Sequence, residues 1–213
     1  MKLFLFFLTF LNITFALDQI PKINDKSLLL KNPKLIFKEN FTGQSMNPRW
    51  IIQEVDNTGK CLTLKNNILF LNTLGNEKIC ILHKLQNPSA SLSFSFFVKP
   101  HASDNIIFLL VTENKPTFVM AVIFTPEGAM MVRDNEGVKN SKFTEIYKTV
   151  DGCLNPKKFT KVRLDFTMEE YAVQINGKKI TQGKGAFLNN LKKDFMITTS
   201  GKADFAEMTL EQE

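Results

Sequence analysis

From Leu35 to Leu210 apolar residues recur in short runs with a period of two, and Gly, Pro, Asn or Asp breaks nearly every run. Alternate side chains of a strand point to opposite faces, so this pattern suits half-buried β-strands and fits no helical stripe. Residues 35–41 read as a first strand, ended by Thr42-Gly43 and Asn47-Pro48. Residues 50–55 follow, turned by Asp56-Asn57-Thr58-Gly59. Residues 61–64 and 68–71 bracket Lys65-Asn66-Asn67 as a hairpin, and residues 78–85 stop at Asn87-Pro88. In residues 90–98, Leu92, Phe94, Phe96 and Val98 share one face, while Ser91, Ser93, Ser95 and Phe97 share the other. Residues 106–111 and 118–124 are almost continuously apolar, as expected of strands covered on both faces, and residues 130–133 return after Thr125-Pro126-Glu127-Gly128. Val162, Leu164 and Phe166 alternate with Lys161, Arg163 and Asp165. Tyr171, Val173 and Ile175 alternate with Ala172, Gln174 and Asn176, and Asn176-Gly177 marks a tight turn into residues 178–181. Residues 194–199 and 204–210 read as a last pair around Ser200-Gly201-Lys202. Only residues 184–193 suit a short helix or turn. The pattern predicts an all-β, two-sheet antiparallel β-sandwich of the jelly-roll kind over residues 35–213, its first and last strands lying near each other.

Residues 1–16, MKLFLFFLTFLNITFA, differ from all of this. One Lys, an apolar run, and small residues at Thr14 and Ala16 make an export signal cleaved near Ala16, and the run is too short for a membrane span. The expected mature chain starts at Leu17, is secreted or periplasmic, and carries no membrane span. Residues 17–34 form an N-terminal arm that packs late or stays mobile. Losing Lys2 with the leader takes the formal charge from +6 to +5. That charge is scattered through turns without a basic stripe, which excludes nucleic acid as a partner. An apolar fraction of 44% excludes a disordered chain.

Cys61, Cys80 and Cys153 allow at most one internal disulfide. Cys61 and Cys80 lie in neighbouring strand candidates, and both a bridge across a sheet and buried free thiols stay open. His83 and His101 stand apart and match no zinc spacing. Asn40-Phe41-Thr42 is a glycosylation sequon, used only in a eukaryotic host.

Several segments carry a resemblance in the same order along the chain. They are Phe37-Lys38-Glu39-Asn40-Phe41 with Pro48-Arg49-Trp50, then residues 91–98, then Val122-Ile123-Phe124-Thr125-Pro126-Glu127-Gly128. Residues 159–166, Val173-Gln174-Ile175-Asn176-Gly177-Lys178, and Ser200-Gly201 ahead of Phe205 complete the series. Together they resemble secreted concanavalin A-like sandwich domains near the 3-keto-disaccharide hydrolase-like family, over residues 35–211. One strand of that family often opens with tryptophan, where this chain has Phe159. The resemblance implies the sandwich fold and a carbohydrate context. Laminarinase-like relatives in the wider superfamily place three acids as E-x-D-x-E, whereas Glu54-Val55-Asp56-Asn57-Thr58 holds two of the three at a strand end, where turn chemistry accounts for them.

Strand parity supplies the candidate ligand surface. Ser91, Ser93 and Ser95 form a small polar face, and Arg163, Asp165 and Gln174 project away from their core-facing neighbours with planar polar groups suited to sugar hydroxyls. If both belong to one sheet they form one groove, which Arg133 and Asp134 would close; a solvated outer sheet face is the other account. Few aromatic platforms exist: Trp50 is expected in the core, Phe97 and Phe118 are substitutes, and only Tyr147 and Tyr171 carry phenols. The leading function is binding of a saccharide or glycoconjugate on one sheet face. One alternative is a glycoside-cleaving enzyme of the 3-keto-disaccharide hydrolase type using Asp165, Glu113 or Asp104 with Arg163, since such chemistry needs facing carboxylates. Another is a non-catalytic protein-interaction or envelope-structural domain. No cofactor is implied; calcium, common in the superfamily, would fall to Asp134 and Glu136, which match no defined calcium loop. Removing Ser93 or Asp165 is expected to leave folding intact, as for surface polar groups.

Overall fold

The serine–phenylalanine alternation around Phe94 occupies the middle of the molecule. The computed structural model describes residues 20–43, 45, 47–48, 50–54, 62–73, 79–84, 91–101, 105–112, 118–125, 127–133, 144–149, 154–184 and 193–213. In chain order the strands begin with β1 (Lys34–Glu39), β2 (Trp50–Glu54), β3 (Leu62–Lys65), β4 (Ile68–Asn72) and β5 (Ile79–Lys84). Then come β6 (Leu92–Pro100), β7 (Ile106–Thr112), β8 (Phe118–Thr125), β9 (Gly128–Arg133) and β10 (Thr144–Thr149). The series ends with β11 (Thr160–Phe166), β12 (Glu170–Ile175), β13 (Lys178–Lys184), β14 (Lys193–Thr199) and β15 (Lys202–Gln212).

They build two antiparallel sheets. The first runs β13-β12-β11-β6-β15-β4-β3, with β1 also on β15; the second runs β10-β9-β8-β7-β14-β5-β2. The first and last strands do meet: Leu35 pairs with Glu211 and Lys38 with Thr209. A bulge in β15 makes this possible. Residues 202–205 pair with β4, and past Glu207, whose φ is 37°, residues 208–212 pair with β1. An extra residue there bends the strand and turns its edge towards a new partner.

Phe94, Phe96, Phe108, Phe124, Phe166, Phe195 and Phe205 are fully or almost fully buried between the sheets. Phe94 of β6 lies 4.3 Å from Phe195 and 5.4 Å from Phe108, ring centre to ring centre, so one first-sheet side chain ties together two second-sheet strands. Trp50 is in this core, as expected, edge-on to Phe37 and Phe195. Two Asn-containing turns behave as two-residue hairpin loops: Asn66-Asn67 joins β3 to β4 with φ of 53° and 62°, and Asn176-Gly177 joins β12 to β13 with φ of 50° and 77°. Gly183 has a packing reason, because a Cβ there would come within 2.6–2.8 Å of the Tyr171 ring across the β12–β13 pair.

Four expectations change. Residues 194–199 and 204–210 are not a pair: β14 belongs to the second sheet and β15 to the first. Between them the chain crosses the sandwich, pinned by Thr73, whose N–H and hydroxyl donate to Gly201 O at 2.7 and 3.0 Å. Cys80 lies in β5 of the second sheet, while β3, which follows Cys61, is in the first, so the two strand candidates are not sheet neighbours; Cys61 itself lies outside the described residues. Strand β10 was not expected, because Thr144-Glu145-Ile146-Tyr147-Lys148-Thr149 has little apolar alternation; it is an edge strand, where such polar composition is usual. Lys184 continues β13, and residues 185–192 lie outside the described residues.

Candidate functional site on the outer face of the first sheet

Register brings most of the predicted polar residues together. Across β6, β11 and β12, Ser93 pairs with Asp165, and Ser95 pairs with Arg163, which pairs with Gln174. All of them lie on the side away from the aromatic core. Their surroundings overturn the expectation of an open groove: Ser93, Ser95, Arg163, Asp165 and Gln174 are 0–5% exposed. What covers the face is the N-terminal arm, laid across it from Ile23 to Leu28.

The arm alternates too. Pro21, Ile23, Asp25, Ser27 and Leu29 are shielded, and Lys22, Asn24, Lys26 and Leu28 are exposed, so it docks like an extended strand without joining the ladder. Its Asp25, with a side chain only 1% exposed, lies 2.6 Å from Lys161 Nζ and 3.3 Å from Arg163 Nε. Gln174 Nε2 donates to Lys26 O at 2.9 Å, and Leu28 N–H donates to Asp165 Oδ2 at 2.6 Å. Ser93 Oγ donates to Asp165 Oδ1 at 2.6 Å and accepts from Arg163 Nη1 at 2.8 Å. Arg163 Nη1 also donates to Glu211 at 2.7 Å. Beside this network Ile23 packs on the small apolar cluster of Phe97, Phe159 and Ala206. The chain then leaves the face with Lys31 and Asn32 N–H groups donating to the Glu213 carboxylate. The arm is thus packed on the sheet, and its contacts explain why polar side chains on an outer face are buried, with Asp25 Oδ2 and Arg163 Nε meeting at 3.3 Å as an ion pair without a hydrogen bond.

Burial raises the Asp165 carboxyl above its ordinary value of 3.8, against the lowering pull of hydrogen bonds from Ser93, Leu28 and Ser27 and of the Arg163 charge. For Arg163, burial works against the charged form, but Glu211 and Asp25 outweigh it and hold the guanidinium above its ordinary value. A stability prediction follows from Asp165. Between 3.8 and its raised native value, the folded state keeps a proton that the unfolded state has lost, so this group's contribution falls as pH rises through that window. Asp165→Asn is expected to flatten that segment of the stability–pH curve, measured as urea midpoints from pH 4 upward. An unchanged slope would mean that Asp165 titrates alike in both states.

The other predicted residues fall elsewhere. Arg133 ends β9 in the second sheet, so it cannot close a groove on the first; its separation reflects a strand order that turn signals do not encode. Ser91 lies just before β6 and accepts from Glu213 N–H at 3.1 Å. Asp104, Glu113, Asp134 and Glu136 lie outside the described residues. Among the described residues no three His, Cys, Asp or Glu side chains gather to hold a metal ion, and no helix is long and apolar enough to cross a membrane. Burial also overturns the expectation that Ser93 and Asp165 can be removed as surface groups: both are network members. Sequence reasoning missed Asp25, Lys161 and Glu211 because it gave the arm no place to pack; the Pro21, Ile23, Asp25, Ser27 alternation was the available signal.

Beyond the arm the same outer face continues through the cross-strand row Lys99–Asp204–Phe70–Thr63. The second sheet is different. Its outer face has an apolar middle: the row Met130–Ile123–Ile107 begins at Lys148 on one side and continues through Thr198 and Cys80 to Gln53 on the other.

An all-β jelly roll of two antiparallel sheets is the architecture of carbohydrate-recognition and glycoside-hydrolase sandwiches, and solved structures of both kinds match this chain. The carbohydrate recognition domain of Emp47p superposes with a TM-score of 0.63 at 12% identity, covering 82% of this chain and 93% of that one. A potassium-bound form of the Emp46p carbohydrate recognition domain gives 0.59 at 9% identity, covering 76% and 88%. SCLam, a non-specific endo-β-1,3(4)-glucanase, gives 0.63 at 9% identity, covering 89% and 95%. The sequence matches no family model and no curated protein.

Proposed function

We propose that this chain is an exported saccharide-binding β-sandwich domain whose contact surface is the part of the first sheet's outer face that the arm leaves open. The observation that carries the reading is the contrast between the two outer faces. Beyond the arm the first sheet presents Asp204, Thr63 and the turn amide of Asn66, and the middle of the second presents Met130, Ile123 and Ile107. Planar polar side chains on a rigid sheet suit the fixed hydroxyl geometry of a sugar. The fold shared with carbohydrate recognition domains supports the same reading.

A glycan-array screen of the purified protein tests it, with 3-keto-glucosides supplied in parallel and product release followed. Saturable binding without turnover is the expected result. Turnover would replace the reading with glycoside cleavage of the 3-keto-disaccharide hydrolase type. Silence in both assays would leave a protein-interaction or envelope-structural domain.

A further inference from the structure

Where the arm ends, the first sheet's outer face opens into a cleft of ≈ 370 Å³ lined by Thr63, Lys65, Asn66, Ile68, Phe70 and Asp204. That volume lies in the range of small-molecule sites. Strands β3 and β4 and their two-residue turn form one wall, and β15 supplies Asp204 opposite Phe70. Ile68 belongs both to this wall and to the cluster capped by Ile23, so the cleft begins at the arm's border.

The carboxylate is set in place. Lys99 Nζ pairs with Asp204 Oδ2 at 3.2 Å, and His101 Nε2 lies 3.1 Å from the same oxygen without forming a hydrogen bond. Among the described residues, no hydrogen bond or ion pair reaches the other oxygen, Oδ1. Lys99 is steadied in turn over the Phe159 ring at 5.3 Å, and His101 lies 5.5 Å from the Phe70 ring centre. The cleft therefore offers an anchored acceptor, the hydroxyl of Thr63 and the amide of Asn66, against the apolar surfaces of Phe70 and Ile68.

We infer that this cleft is a pyranose subsite: one neutral sugar ring lays its C–H face on Phe70 and directs adjacent hydroxyls to Asp204 Oδ1 and Asn66. A pyranose has that pairing of an apolar face with a polar rim, and aromatic rings receive such faces. The inference rests on the saccharide-binding reading and gives it a location.

The test is an amide-resolved NMR titration of the purified protein with the methyl glycosides of glucose, galactose and mannose, and with any oligosaccharide retained on the glycan array. Saturable shifts are expected at Thr63, Asn66, Ile68, Phe70 and Asp204. Phe70→Ala is expected to weaken binding by about three- to tenfold, the scale of one aromatic contact. Asp204→Asn is expected to weaken it by at least about tenfold, the scale of losing a charged acceptor. Asn66→Gly keeps a residue at ease with positive φ in the turn while deleting the amide, so its loss of affinity is separable from misfolding. Sugar-dependent shifts confined to other residues would overturn the cleft and leave saccharide binding standing. No shift with any probe, together with an empty array, would overturn both.

Discussion

Arg163→Met is expected to lower the unfolding free energy by about 3–5 kcal/mol, the scale of breaking a buried ion pair from one side. The lost methylenes are replaced, so the effect reports on charge and hydrogen bonds. The Arg163 side chain is 6% exposed and faces Asp25, which is 1% exposed, together with Glu211. Without the guanidinium, Asp25 keeps only Lys161, and Ser93 loses a donor while still donating to Asp165. Arg163→Lys is expected to recover only part of the loss, because an ammonium cannot reach Ser93, Glu211 and Asp25 with one planar fork. Asp25→Asn combined with Arg163→Met should cost less than the two losses added, since neither charge is then stranded; coupling of about 0.5–3 kcal/mol is usual for such partners. Urea unfolding of the unaltered protein, Arg163→Met, Arg163→Lys, Asp25→Asn and the double variant decides it. A loss below about 1 kcal/mol for Arg163→Met, the scale of an exposed pair, would mean that water reaches the network and the arm is loosely held in solution.

That network also marks the limit of what the sequence made legible. The two-residue period placed most strands to within a residue or two, because each apolar side chain on a pleated strand has one face to hide. Phe94 and Ser93 were assigned to opposite faces correctly for this reason. Parity along one strand does not say which strands are neighbours, so Arg133, which ends a strand of the second sheet, was offered to a groove on the first, and residues 194–199 were paired with the wrong partner. Nor does parity say what covers an outer face. Ser93, Arg163 and Asp165 look like solvent-facing residues until a segment from far earlier in the chain lies over them, and the hydrogen bond between Leu28 and Asp165 spans 137 residues. Phe70, Lys99 and Asp204 come together by register across β4, β6 and β15, three strands far apart in the chain, and parity along any one of them does not announce it.

Phe94→Ala is the other change with a large expected effect, about 3–5 kcal/mol, a substantial part of the total stability of an ordinary domain. The ring is fully buried and meets Phe96, Phe108 and Phe195. Deleting it opens a cavity between two sheets, whose backbones are fixed by their own ladders and cannot close over it. The cost of a cavity depends on how far its walls can collapse. Phe97, on the same strand but the opposite face, is the control. It is nearly as buried, but its cover is Ile23 of the arm and the aliphatic reach of Lys161, whose ammonium lies 5.4 Å from the ring centre. An extended arm held by a few side-chain contacts can settle into the space, so Phe97→Ala is expected to shift the urea midpoint less than Phe94→Ala. Equal shifts would mean that the arm is as rigid as the sheets, making it a structural layer of the sandwich in its own right. A larger shift for Phe97→Ala would place the decisive packing on the arm side, and the inter-sheet aromatic cluster would no longer be the main source of stability.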